Sequence, residues 1–499
     1  MHPSLLVILL VLFTLANVLT SYLYLYPILH QCSFPAQPGR QSSEGDIPQQ
    51  IPPFRLLILA DPQLEGDSSL LNPDYGYFPH LSNLWSDVSA VSTIGERLEV
   101  VGTHLRDIFA IDIPSILQSY RKRLDLIGND YYLAHIYRTM HWTMFPTHIT
   151  VLGDLIGSQW VSDEEFDRRG TRYWKRVLQK GNRVEDERTE GIHIEPLPQD
   201  GSWARKVINV AGNHDIGYAG DLTKEKLQRY ERMFGKANWE TRFSLPLEPL
   251  DQDQPELKLV VLNSLNLDGP VLDAQLQTDT YDFINDVIRY SRPVEDRTTA
   301  TILLTHLPLH KEAGVCVDGP FIDYYGEEHG GGIREQNHLS DASSKGILEG
   351  IYGMSGNPDA PGKGRGRNGI ILTGHDHEGC DVYHHLLDAE EAESRTWIAR
   401  KWNSSTTTQH NVTPGIREIT VRSMMGDFGG NAGLLSAWFD LDKREWQFEY
   451  ATCALGQQHF WWAVHVLDIV TVVLLNYVGW SIFRATKNSV EEKAKVKTL

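Results

Sequence analysis

Five short oily runs in this chain are each followed at once by residues that can bind metal. RLLILA precedes Asp61-Pro62-Gln63, HITVL precedes Gly153-Asp154, and KVINVA precedes Gly212-Asn213-His214-Asp215. TILLT precedes His306, and GIILT precedes Gly374-His375-Asp376-His377. One Asp after a strand is ordinarily a turn former, and a lone strand-end His is ordinarily a surface or capping residue. Repetition along one chain makes coincidence a poor account. Carboxylate, amide oxygen and imidazole form a mixed O/N donor set suited to borderline divalent ions such as Mn²⁺, Fe²⁺ or Zn²⁺. The glycines before Asp154, Asn213 and His375 let the backbone turn sharply where the strand ends. Two such ions about 3.5–4 Å apart can clamp a phosphoryl group between its attacking and leaving oxygens. Asp61 then reads as one metal ligand of several gathered at one rim.

The elements that must carry these residues are legible as well. Runs at Arg55 to Ala60, His148 to Leu152, Lys206 to Ala211, Lys258 to Leu262, Thr301 to Leu304 and Gly369 to Leu372 have the composition of buried strands. Helical patterns alternate with the early runs. Ser162 and Glu165 make a capping-box pattern, after which Phe166, Tyr173, Trp174 and Val177 share one helical face. Pro114 to Phe145 is a longer helical region, expected to be broken at least once. Ile416 to Met424, Leu434 to Leu441 and Glu445 to Tyr450 have no helices between them and are expected to be antiparallel. This alternation implies a layered α/β core with its functional loops at the carboxyl ends of strands. Gly353 to Gly369 holds Lys363, Arg365 and Arg367 among glycines without the spacing of a phosphate-binding P-loop, and reads as a solvated loop. Tyr324 to Asn337, long and charged, is a candidate lid or substrate loop.

A formal net charge of −19 and a pI near 5.5 exclude a nucleic-acid binder that relies on bulk electrostatics. Ser4 to Leu29 carries no charged side chain and is long enough to cross a bilayer. It exceeds a signal-peptide core and lacks a basic segment before it, so residues 1–30 are read as a retained signal anchor. Residues 460–483 form a second span, with Trp461 and Trp462 at one end and Trp480 at the other. His465 and Asp468 interrupt its first turns. Residues 484–499 are a basic tail, which the positive-inside rule places in the cytosol. Residues 31–53 form a luminal stalk and 54–455 the catalytic domain. Two glycosylation sequons, at Asn403 and Asn411, agree with a lumen. The four cysteines fit an oxidising compartment with pairings open. Cys32 and Cys453 flank the spans on the luminal side, Cys316 and Cys380 each follow a histidine motif, and free thiols are the alternative.

As a set, the strand-end motifs resemble the calcineurin-like metallophosphoesterases, whose pattern runs D-x-H, GD, GN-H-D/E, H and GH-x-H. The resemblance covers Arg55 to about Tyr450. It implies a four-layer αββα sandwich of the α/β class, here flanked by two transmembrane helices. It also implies two divalent metal ions, one held by Asp61, Asp154 and His377 and the other by Asp154, Asn213, His306 and His375. His214 would face the substrate phosphate and assist the leaving group, with Asp215 orienting its ring. Gln63 stands where the family usually has histidine. Its amide oxygen is a weaker, neutral ligand for the first metal, or it hydrogen-bonds a bound water.

GDLIGSQW and GNHDIG depart from the GD-x-V-D-R-G and GNHE of protein Ser/Thr phosphatases. GNHDIGYAGD, the two spans and the basic tail are instead similar to the GPI-glycan ethanolamine-phosphate phosphodiesterases of the early secretory pathway. That resemblance implies Mn²⁺, a GPI-anchored protein or GPI glycolipid as substrate, and residence in the ER membrane with cycling through the Golgi. Lys495-Val-Lys-Thr-Leu499 looks like a K-x-K-x-x retrieval signal, which implies the ER retrieval machinery as a partner. The expected chemistry is in-line hydrolysis, with His214 protonating the departing alkoxide. Alternatives are a luminal phosphodiesterase acting on a nucleotide or phospholipid headgroup, and a non-catalytic cargo receptor. All but one of the family's ligand positions are intact, which favours an enzyme.

Overall fold

The computed structural model describes residues 3–37, 41–42, 45–46, 51–66, 78–197, 201–248, 253–386, 397–402 and 415–497. Asn403 and Asn411 lie outside the described residues, as do Thr498 and Leu499. Two large sheets form the core of the domain. The six-stranded sheet runs Glu445–Ala454, Asn431–Asp440, Phe54–Leu59, His148–Val151, Lys206–Asn209, Asn182–Arg183. The eight-stranded sheet runs Trp397–Lys401, Cys380–Leu386, Gly415–Thr420, Asn368–Thr373, Thr299–Leu304, Glu256–Val261, Trp239–Ser244, Ile194–Pro196. The ligand-bearing strands are parallel within each sheet, so their carboxyl ends share one rim.

Period-two alternation explains the layering. Phe54, Leu56 and Ile58 point to the second sheet, where they meet Phe243, Leu257, Leu259, Ile302 and Leu372 in one core. Leu57 and Leu59 point the other way, against helical side chains that include Leu133, Ile136, Phe166 and Tyr173. On the far side, Val260, Leu303 and Ile371 pack with Ile284, Val287, Ile347 and Leu348. The result is a four-layer αββα sandwich. Strands buried on both faces carry unbroken apolar runs, and each fully buried Leu or Ile contributes about 1.5–3 kcal/mol.

Several sequence expectations need correction. Gly415–Thr420 is parallel to Asn368–Thr373 and antiparallel only to Cys380–Leu386. Ile113–Met144 is one continuous 32-residue helix, not a broken one, entered through a π-turn at Ile108–Asp112 and closed by Phe145 at φ 49°. The capping box after Ser162 is half made. Ser162 accepts from the Glu165 amide, but the Glu165 carboxylate turns to Arg168 and Arg169 instead. The helices Pro79–Ala90 and Ile94–Asp107 were not expected.

Both apolar ends are helical. Leu5–Leu29 and Gln458–Val490 are long and apolar enough to cross a membrane. They lie against one another, and Thr20 donates to the Asp468 carboxylate at 2.8–2.9 Å, which gives the acid of the second span a partner. Disulfides join Cys32 to Cys453 and Cys316 to Cys380.

A buried ionic triad ties the His306 loop to the neighbouring strand. Glu418 accepts from Lys311 Nζ at 2.9 Å and from the Leu309 amide at 3.0 Å, and its other oxygen meets His384 Nε2. Burial alone would raise this carboxyl, but Lys311 and His384 outweigh it and hold it down to about 2. A depressed carboxyl stabilises the fold above its unfolded value near 4.3, and that stabilisation is lost as pH falls toward 2. Lys311→Met should therefore cost about 3–5 kcal/mol near neutrality by leaving a buried charge unpaired. Denaturation of the solubilised protein should show the gap from wild type narrowing as pH falls from about 4.3 toward 2, where the wild-type protein loses the stabilisation its ionised Glu418 supplies.

Candidate metal centre

Each sequence-read candidate lies within a few residues of a strand's carboxyl end, at a backbone bend that aims it across the rim. Asp61, Gln63, Asp154 and His375 all adopt positive φ, at 51°, 40°, 50° and 73°. Such conformations cost energy in L-residues and cluster where function holds them. Neighbouring contacts hold these in place. The Gln63 amide donates to the Asp154 carbonyl at 2.8 Å, and the His375 amide to Asp61 Oδ1 at 3.1 Å. Gly212 is required by packing, since a Cβ there would lie 2.1 Å from the Asp154 nitrogen.

Two clusters result. Asp61, Asp154 and His377 bring ligand atoms within 4.8 Å of one another, as do Asp154, His306 and His375, so Asp154 belongs to both. Asn213 joins the second cluster, with Oδ1 2.9 Å from His306 Nε2. Gln63 joins the first, with its amide nitrogen 3.1 Å from Asp154 Oδ2 and 3.2 Å from His377 Nε2. Turning the amide by 180° presents Oε1 to the same two atoms, an assignment set by the hydrogen-bond network.

The residues fit two cations. His306 Nδ1 faces the Leu152 carbonyl at 2.8 Å and must donate to it. Its Nε2 is then a bare lone pair, yet it faces Asn213 Oδ1 and, at 3.4 Å, Asp154 Oδ1. Acceptors this close repel unless a cation sits among them. Asp61 Oδ2 is likewise buried without a hydrogen-bond partner among the described residues. Burial and the neighbouring Asp154 push the Asp61 carboxyl well up. Burial lowers all three imidazoles, His375 to about 3, so they stand neutral near pH 7 with lone pairs available to metal.

His214 is placed at the mouth. Its amide donates to Asp154 Oδ1 at 2.9 Å, and its ring, about one-third exposed, sets Nε2 3.8 Å from Asp154 Oδ2. Asp215 does not orient that ring. Its oxygens accept from the Gly212 amide at 2.9 Å and the Ile156 amide at 3.0 Å. This carboxylate braces the GNHD turn against the Asp154 loop, and the His214 Nδ1 has no partner among the described residues.

A cavity of about 300 Å³ opens over these groups, walled also by Gln159, Tyr218, Arg334, Glu335 and Asn337. The last three come from the segment containing the hairpin Ile322–Tyr324 and Ile333–Gln336, the stretch suspected as a substrate loop. Gln159 and Tyr218 were missed, although each follows a metal motif by only a few residues. A larger cavity, about 870 Å³, lies near Arg55 and Phe145 at the opposite ends of the strands, away from both clusters.

No family model matches the chain. Protein TED1 of Saccharomyces cerevisiae is 30% identical over 510 aligned residues, covering 90% of this chain and 93% of its own. Metallophosphoesterase 1 of Danio rerio is 22% identical, covering 61% of this chain and 71% of its own. A dimetal phosphatase from Danio rerio aligns with 82% of this chain and 98% of its own at 11% identity and a TM-score of 0.33, so the fold assignment here rests on the sheet topology.

Substitutions at two positions probe the centre. Asp154→Asn should leave the fold in place but nearly abolish phosphodiester hydrolysis and reduce bound metal, read by elemental analysis of purified protein. Gln63→Ala should raise the metal concentration needed for half-maximal activity at the first cluster alone, whereas Gln63→His should lower it, because imidazole nitrogen is the better ligand for a borderline ion. Wild-type metal titration of Gln63→Ala would show that the amide only closes the turn.

Proposed function

The chain belongs to the calcineurin-like metallophosphoesterases and is a metal-dependent phosphodiesterase, and from that premise we propose that it removes an ethanolamine-phosphate side branch from a mannose of GPI anchors in the ER lumen. One observation carries the choice of a membrane-tethered substrate. Glu445–Ala454 runs antiparallel to Asn431–Asp440, which runs antiparallel to Phe54–Leu59. Ala454 therefore ends on the rim that bears Asp61, and the apolar helix starts only four residues later, at Gln458. Phe428 bridges the short distance, with its ring 4.8 Å from that of His377 and its 3₁₀ turn against the helix start. The Cys32–Cys453 disulfide brings the other apolar helix to the same end. The metal clusters thus open beside the roots of the spans, where a lipid-anchored glycan would present its core.

Asp61, Gln63 and His377, with Asp154 shared, would hold one cation, and Asn213, His306 and His375 the other. When bound, two divalent cations neutralise charge on the phosphoryl oxygens and make water a better nucleophile. The mixed O/N donor set supports Mn²⁺. His214, held at the mouth by its amide bond to Asp154, is placed to protonate the departing mannose oxygen. Glu335 and Arg334 put both signs of charge on the cavity wall, which suits a branch carrying phosphate and ammonium together. The membrane and a GPI-bearing protein or glycolipid are the partners. Two spans with a basic tail support a luminal domain, with Lys495 and Lys497 facing the cytosol for retrieval to the ER.

Mass spectrometry of GPI glycans from cells lacking the protein should reveal retained ethanolamine phosphate on one mannose. Purified enzyme should release it from GPI glycans in preference to cleaving nucleotides or glycerophosphodiesters; preference for either of the latter would replace the substrate assignment. Replacing Lys495 and Lys497 by Ser should move the protein to later compartments with hydrolysis unchanged.

A further inference from the structure

The helices Pro79–Ala90 and Ile94–Asp107 contain no buried residue, although both are amphipathic. In the second, Ile94, Leu98, Val101 and Leu105 recur at helical spacing on one face, with Glu96, Glu99 and Asp107 opposite. That apolar face is turned outward: Ile94 is 78% exposed and Leu98 68%. Trp85 on the first helix is 82% exposed. The long helix continues the pattern, with Leu117, Tyr120, Leu124, Ile127 and Tyr131 on one face, all exposed.

The bonds joining these helices are polar. His80 bonds the Asp112 carboxylate through Nδ1 at 2.7 Å, His104 Nδ1 bonds the His80 carbonyl at 2.7 Å, and His104 Nε2 meets Asp87 at 3.0 Å. Polar groups joining the helices and apolar groups on the outer face invert the arrangement that water favours. It is the arrangement that a lipid environment favours.

What lies beyond this face follows from where it begins. Gly128 of the long helix packs so closely on Trp462 that a Cβ would lie 1.6 Å from the indole. His135 packs edge-on against Tyr24, and Tyr132 against Trp461. These contacts fix the middle of the long helix against the first turns of one span and the last turns of the other. Its second half lies in the domain core and leads into the strand at His148, so its first half extends past the metal-bearing rim on the side of the spans. At about 1.5 Å per residue the two short helices measure about 18 and 21 Å, less than the roughly 30 Å hydrocarbon core. The second also carries Glu96, Glu99 and Asp107 on its polar face, so they suit the interface and not a crossing.

We propose that the outward apolar face of residues 79–131 is a monotopic membrane-binding element, seated in the leaflet beside the catalytic rim. It is continuous with the two spans, and it adds a third attachment that sets the height and tilt of the metal centre over the lipid surface. Lys122 reaches Glu65 at 3.2 Å, two residues beyond Gln63, so this element is tied directly to the loop that enters the first metal cluster.

The test uses the full chain in phosphatidylcholine nanodiscs. All four cysteines are in disulfides, so a thiol introduced by Leu98→Cys, Leu124→Cys or Ile94→Cys can be labelled alone with an environment-sensitive fluorophore, and Glu99→Cys, on the opposite face of its helix, serves as the polar-face control. Hydrolysis of bis(p-nitrophenyl) phosphate certifies folding of each variant, and three apolar positions on two helices keep the test independent of any one. Labels at the apolar positions should be quenched several-fold more by doxyl-labelled phosphatidylcholine than by aqueous iodide, and the control should show the reverse. Iodide quenching equal to that of the control would place the face in water. Protection from both quenchers would mean that protein covers it, through a second copy of the chain. Either result overturns the proposal.

Discussion

Asp154 is a carboxylate with almost no solvent exposure that every part of the site touches. It accepts from the His214 amide and the Gln63 side chain, its carbonyl accepts from the Gln63 amide, and it belongs to both ligand clusters. Its own titration is pushed up by burial and brought down by His306, His214 and His375, with the net direction downward. Asp61 and Asp215 are buried beside it and pushed the other way. A fold that collects three acids in a dry rim must supply compensating charge. The neutral imidazoles, the orphaned Asp61 oxygen and the lone pair of His306 all point to cations as that compensation.

The rest of the architecture serves this arrangement. Two sheets facing each other let ligands from one strand set meet ligands from the other, which no single sheet could do over so short a distance. Backbone strain at Asp61, Asp154 and His375 is held by hydrogen bonds between loops. The Glu418 triad anchors the loop after His306 to the strand beside the one that delivers His375. Stability and ligand placement therefore depend on the same contacts.

Local chemistry was legible in the sequence, and long-range pairing was not. Apolar runs that stop at Asp61, Asp154, Asn213, His306 and His375 announce themselves because strand and ligand are adjacent in the chain. Asp215 was misjudged because its partner, the Ile156 amide, is 59 residues away. Gly415–Thr420 was assigned the wrong sense because sheet order has no local signature. The helix at Ile94 does carry one: Thr93 and Glu96 form a reciprocal capping box, the pattern that Ser162 and Glu165 only half fulfil. The hairpin at the cavity could be read only as a long charged loop.

The order of strands has a consequence for biosynthesis. Phe54–Leu59 lies between His148–Val151 and Asn431–Asp440, and the second neighbour pairs Gly433 with Ile58. The ribosome makes this strand early and its sealing partner some 375 residues later, by subtraction of those positions. At roughly 5–20 residues per second, the first metal-bearing strand waits for tens of seconds with one edge unpaired. Completion of the sandwich coincides with arrival of the second apolar helix, which follows Ala454 almost at once. Completion of the catalytic rim and emergence of the second apolar helix are therefore nearly one event.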